Sequence, residues 1–107
     1  MPETVLVIGA GGFIGAHLVA MLATRGDRVV AVSRRPFTAP EGVETHVVEL
    51  RESTDFAPLV ARCRAVVHLA SASTPASTAG DPLAELDANL RTSLALLSAL
   101  QSRRDVH

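Results

Sequence analysis

Residues Val5-Leu6-Val7-Ile8-Gly9-Ala10-Gly11-Gly12-Phe13-Ile14-Gly15 constrain the fold of this chain more than any other stretch. Four consecutive apolar residues, three of them β-branched, predict a strand buried on both faces. Glycines follow at a spacing of three, at positions 9, 12 and 15, and the pattern then turns helical through Ile14, Leu18, Met21 and Leu22. Strand, glycine turn and helix start thus occur in that order, the context in which such a turn holds a dinucleotide. Gly9 can turn the chain sharply off the strand. Gly12 leaves a diphosphate free to approach the backbone, and Gly15 lets the helix lie close to the sheet. The helix start offers N–H groups and partial positive charge to an anion. The fit is to G-x-x-G-x-x-G. The G-x-G-x-x-G form would need glycine at Ile14. A glycine-rich turn without a ligand is the alternative.

The segment Gly9-Ala10-Gly11-Gly12-Phe13-Ile14-Gly15-Ala16-His17-Leu18 resembles the opening of the extended short-chain dehydrogenase/reductase family, the nucleotide-sugar epimerases and dehydratases. The Phe-Ile-Gly ending carries more of that resemblance than the glycines do. It implies an NAD(P) cofactor, with Gly9, Gly11, Gly12, Phe13, Ile14 and Gly15 at the diphosphate, and a nucleotide-sugar substrate in the intact enzyme.

The remaining chain alternates strand and helix. Strands are expected at Thr4 to Ile8, Arg28 to Ser33, Glu44 to Leu50 and Ala65 to Ala70. Helices are expected at Phe13 to about Arg25, Asp55 (as N-cap) to about Arg62, and Pro82 to about Ser102. The last helix shows an apolar stripe of Leu83, Leu86, Leu90, Leu94, Leu97 and Leu100. Ser71 to Asp81, rich in Ser, Thr, Ala, Pro and Gly, reads as a loop of functional length. Alternation of this kind predicts an α/β fold, a Rossmann-type parallel sheet with helices on both faces. The expected strand order is 3-2-1-4, with a ligand crevice between the first and fourth strands. At 107 residues the chain suffices for one small domain, residues 1–107, with no second domain expected. The resemblance covers the whole chain but only the N-terminal part of the family. A fifth strand is expected near residue 107, then the family's catalytic residues.

The end of the second strand bears on the choice of cofactor. An acidic residue there would hold the adenosine ribose. This chain has Ser33, Arg34 and Arg35, with no carboxylate between Asp27 and Glu41. An arginine here can pair with a 2′-phosphate, so NADP is favoured over NAD. A solvated arginine pair on a loop is the competing reading. By resemblance, Glu49-Leu50 corresponds to an Asp-Leu or Asp-Val segment whose carboxylate meets the adenine amino group. An ordinary solvent-facing glutamate is the alternative. His68-Leu69-Ala70-Ser71 is similar to the family's His-Leu-Ala-Ala segment, which places Leu69, Ala70 and Ser71 beside the nicotinamide ribose. His68 is expected to be a satisfied core histidine, not a catalytic group. Asn89 matches an asparagine that supports the family's active-site water and lysine.

Two absences limit the chemistry. The sequence has no tyrosine, and all ten basic residues are arginine. The family's Tyr-x-x-x-Lys pair, with tyrosine as general acid/base, is therefore not in this chain. A non-catalytic NAD(P)-binding module or redox sensor of the NmrA-like kind is the second functional reading, and a remnant that binds nothing is the third. A net charge of −1 and 3% aromatic residues argue against a nucleic-acid partner. The apolar runs are strand-length, so no membrane span is expected, and the N-terminus does not have the pattern of a signal peptide. The single cysteine, Cys63, fits a reducing cytoplasm and a structural thiol. His17, His46 and His107 show no metal-ligand spacing. The fourth strand, apolar on both faces and without a neighbour on one side, is expected to promote self-association.

Overall fold

The computed structural model describes residues 4–49, 54–69, 81–101, 103 and 105–107, the side chains of Glu85, Leu86 and Ala88 excepted. Four parallel strands form one sheet in the order β3-β2-β1-β4, the Rossmann order. They are β1 (Thr4–Ile8), β2 (Arg28–Ser33), β3 (Glu44–Val47) and β4 (Ala65–His68). The helices are α1 (Phe13–Arg25), α2 (Ala57–Val60) and α3 (Pro82–Leu100).

The unbroken apolar run of β1 is explained by its central place. Leu6, Val7 and Ile8 are fully buried. Because strand side chains alternate, Leu6 and Ile8 point to one face and Val5 and Val7 to the other. The first face packs Leu6, Ile8, Val30 and Val32 against Phe56, Val60, Cys63 and Leu96 of the α2 and α3 layer. The second packs Val5, Val7, Val29 and Ala31 against Val19 and Leu22 of α1. Gly26 ends α1 in the left-handed region (φ 90°), as its position implied.

Several boundaries differ from the sequence reading. β3 stops at Val47, although one further hydrogen bond, Val48 N–H to the Ser33 carbonyl at 2.8 Å, continues the pairing. α2 shortens to one turn whose N-cap is Phe56, not Asp55; Asp55 lies one residue earlier, and its carboxylate accepts from the Ala57 N–H at 3.1 Å. Asp81 is the N-cap of α3, its carboxylate accepting from the Ala84 N–H at 3.1 Å. Leu50, Ala70, Ser71 and the rest of the expected loop up to Gly80 lie outside the described residues.

Burial departs from the apolar pattern of the sequence at two places. β4 is half-buried at Ala65 to Val67 and exposed at His68, because it forms one end of the sheet. The leucine stripe of α3 does not face the core. Among the described side chains of α3, Leu96 is the buried leucine, with Ala95, Ala99 and Leu100 packed partly against the same cluster. Leu83, Leu90, Leu94 and Leu97 face outward. Of the stripe as read from the sequence, only Leu100 meets the core; the Leu86 side chain is outside the described set.

The free side of β4 is not wholly open. His107 donates its N–H to the Arg64 carbonyl at 2.9 Å and accepts from the Val66 N–H at 2.6 Å, the pattern of a parallel strand beginning beside Ala65. Arg103 holds that segment in place. Its guanidinium donates to the carbonyls of Val60 at 2.7 Å, Ala61 at 2.9 Å and Cys63 at 3.1 Å, and pairs with Asp105 at 3.2 Å. That pairing raises the Arg103 pKa and lowers that of Asp105.

Candidate functional site

The site forms where β1, β2 and β4 end. The parallel register aligns Ile8 with Val32 on one side and with His68 on the other. Parallel strands end at the same edge of the sheet, so Gly9, Ser33 and Leu69, the residues at those ends, meet at one crevice where the strand order reverses. A cleft of about 360 Å³ results, comparable to a small-molecule pocket.

The glycine turn forms its floor. Gly9 has φ 95°, a conformation that side chains disfavour, and its N–H donates to the Val32 carbonyl at 2.9 Å. Gly12 is the N-cap of α1, with extended backbone and no side-chain cap among the described residues. The first-turn N–H groups of α1 therefore remain available to an anion. Gly15 is buried beneath the turn, and a Cβ there would overlap the Gly9 carbonyl oxygen and come within 2.9 Å of the Ala10 Cα. Gly11 leaves room for the Ser33 side chain, whose Oγ a Cβ at position 11 would meet at 2.5 Å. Side chains at positions 11 and 15 would fill this turn, so bare backbone faces the cleft, an arrangement compatible with a diphosphate.

One wall consists of Ser33, Arg34 and Arg35 with Val48 and Glu49. The Arg35 N–H donates to Ser33 Oγ at 3.3 Å, which turns the chain after β2 and keeps the exposed arginines at the mouth. Across the cleft stand His68, Leu69, Asn89 and Thr92. His68 is not the enclosed core residue expected. Its Nε2 lies 3.2 Å from Ser93 Oγ, joining β4 to α3, and desolvation there lowers its pKa.

The structure thus brings Gly9, Gly11, Gly12, Ser33, Arg34, Arg35, Glu49, Leu69 and Asn89 around one space. Phe13 and Ile14 sit on the first turn of α1 with exposed side chains, outside the cleft lining, and Gly15 underlies it. Ile8, Val32, Val48, His68 and Thr92 also line the cleft without having been singled out as binding residues. For Thr92 the signal was present: it follows Asn89 by three residues, so the helix places both on one face. Among the described residues no three His, Cys, Asp or Glu side chains cluster as a metal site, and no helix is long and apolar enough to cross a membrane. Cys63 is buried, donates to the Val60 carbonyl at 3.2 Å, and burial pushes its thiol pKa up, as suits a packing role.

Residues 5–107 match the model of the NAD dependent epimerase/dehydratase family. The chain is 38% identical over 111 aligned residues to a dTDP-4-dehydro-6-deoxy-D-allose reductase of Streptomyces bikiniensis, covering 92% of this chain and 34% of that protein. It is 32% identical to a UDP-glucose 4-epimerase of Rhizobium meliloti, with 91% and 31% coverage. Among solved structures, MoeE5 in complex with UDP-glucuronic acid and NAD superposes with a TM-score of 0.78 at 32% identity, covering 91% of this chain and 32% of that one. The chain therefore spans about a third of the length of these relatives. With the glycine turn, the strand order and the family match in agreement, this chain belongs to the NAD-dependent epimerase/dehydratase family.

Proposed function

We propose that this chain supplies the cofactor floor of an NADP-preferring oxidoreductase acting on a nucleotide sugar. The convergence of the glycine turn, the Ser33-Arg34-Arg35 wall and Asn89 on one cleft is the observation that carries this reading. The N–H groups at the start of α1 hold the diphosphate, with Gly11 and Gly12 allowing close approach and Gly15 seating the helix. Arg34 and Arg35 meet the 2′-phosphate through charge-assisted hydrogen bonds. Glu49 meets the adenine amino group. Leu69 lies beside the nicotinamide ribose, and Asn89 supports the reacting end. A nicotinamide cofactor held here would supply hydride transfer to and from a sugar carbon.

The proton-transfer pair is not among these residues, since the sequence contains neither tyrosine nor lysine. A non-catalytic NAD(P)-binding module of the NmrA-like kind is the second reading, which the same glycine turn and cleft support. Calorimetric titration of the chain with NADPH, NADH and UDP-glucose tests the proposal. Cofactor binding that is lost in Gly12→Val supports it, and no heat with either dinucleotide overturns both readings. Joining the chain to a downstream segment that carries Tyr-x-x-x-Lys separates the two: hydride transfer identifies the enzyme.

A further inference from the structure

The two walls of the cleft differ in charge. Arg34, Arg35 and Glu49 stand on the β2 and β3 side, while His68, Leu69, Asn89 and Thr92 form the β4 and α3 side. Among the described residues lining that second wall none carries a fixed charge, and His68 is the titratable one. The register explains its place. His68 pairs with Ile8 on the last rung of β4, so it stands at the sheet edge from which the glycine turn starts.

We infer that His68 is a proton-controlled selector between the oxidised and reduced forms of a nicotinamide cofactor, disfavouring the oxidised form when it is protonated. The inference rests on the proposed cofactor site and deepens it. Strand order decides which end of the cofactor His68 meets. With the diphosphate over the turn that follows β1, the two nucleosides extend toward β2 and toward β4. The arginine wall attracts a phosphate and repels a cation, so the nicotinamide half extends toward His68. An oxidised nicotinamide ring carries a positive charge and a reduced ring carries none. A proton on His68 therefore opposes one form and leaves the other nearly unaffected.

The local bonding lets this charge change without moving the residue. His68 Nε2 lies 3.2 Å from Ser93 Oγ. A hydroxyl both donates and accepts, so Ser93 serves the neutral ring in either tautomer and the protonated ring as well. The packing of α3 runs through Ala95, Leu96, Ala99 and Leu100, in its C-terminal half, and involves no titratable group. Desolvation lowers the His68 pKa, so the selector is silent near neutral pH and acts in acid. Among the described residues, neither β1 nor α3 brings a charged side chain into the cavities that His68 lines. Arg34, Arg35 and Glu49 face it across the cleft, and Arg103 and His107 share the groove behind it. Arg103 is paired with Asp105, and His107 lines the groove without lining the cleft.

The test is a comparison of the dissociation constants of NADP⁺ and NADPH, measured by competition at about pH 7.5 and about pH 5, on either side of the histidine range. Both forms carry the same 2′-phosphate and adenine, so titration of the phosphate or of Glu49 cancels in their ratio. In the parent chain the ratio of oxidised to reduced constants is expected to rise about fivefold on acidification. His68→Gln retains a bonding group for Ser93 and should hold the ratio constant, whereas His107→Gln should leave the rise intact. A second measurement needs no variant. By reciprocity, the His68 ring signal in an NMR titration of the parent chain should show a lower pKa with NADP⁺ bound than with NADPH bound. Binding of both forms at a ratio independent of pH overturns the inference alone. So does a rise that persists in His68→Gln, and so does a ring signal that titrates alike with the two forms. Absence of binding by either form at both pH values overturns the cofactor site together with the selector.

Discussion

Gly15 lies directly beneath Gly9, so close that a Cβ on Gly15 would overlap the Gly9 carbonyl oxygen. The contact fixes how α1 seats against the end of β1. Its obstacle is backbone, which cannot rotate away. Gly15→Ala is expected to destabilise the chain by at least about 2 kcal/mol, read by urea denaturation. A Cβ at Gly12 would meet that same oxygen at 3.5 Å, an ordinary contact. Gly12→Ala should therefore fold normally and lose dinucleotide affinity. Equal stability losses in the two variants would refute this division of roles.

The arginines at the end of β2 should set cofactor preference. Each charge-assisted contact to a 2′-phosphate contributes about 1.5–3 kcal/mol, a factor of about ten to a hundred in affinity. NADPH is expected to bind more tightly than NADH by that factor. The double variant Arg34→Ala with Arg35→Ala should bring the two dissociation constants together. An unchanged ratio would count against the assignment.

The 107 residues alone are expected to show neither hydride transfer nor epimerisation on a nucleotide sugar, because the sequence holds no tyrosine or lysine to exchange the proton. Following nicotinamide absorbance with purified chain and UDP-glucose checks this. Turnover above background would show that another group supplies the proton.

Acid should destabilise the chain in two separate windows. Desolvation holds His68 below its ordinary value of 6.5, so the unfolded chain binds a proton more readily than the folded one. Stability is complete above that value and falls as pH drops through it, between about pH 7 and 5. His68→Gln should flatten this segment of the curve. Glu44 is lowered first by its hydrogen bond with His46 and then by that with Arg62, so its contribution is lost only as pH falls below 4.5. The pair with Arg62, at 2.8 Å, is exposed and should contribute less than about 1 kcal/mol. Thermal melts across pH 4–8 for the parent, His68→Gln and Glu44→Gln would separate the two windows. A parent curve flat from pH 7 to 5 would rule out the first.

The local parts of this fold were legible in the amino-acid sequence. Val5 to Gly15 specify strand, turn and helix start because each step depends on near neighbours: β-branched residues for the strand, glycine where a Cβ has no room, and helical spacing afterwards. The strand order also followed, and with it the placing of Ser33, Arg34 and Arg35 at one cleft with Asn89, since parallel strands end at one edge of the sheet. What needed the tertiary structure was the facing of elements that are apolar on more than one side. α3 carries leucine on two faces, and periodicity picked out the stripe through Leu90 and passed over Leu96. Packing against Phe56, Val60 and Cys63 selects Leu96 and leaves Leu90 and its neighbours outside. Thr92 and His68 became cleft residues only when β4 and α3 were brought together, and the His107 contact beside Ala65 depends on Arg103 reaching the carbonyls that end α2. Such contacts join residues far apart in the chain, and only the completed packing brings them within reach.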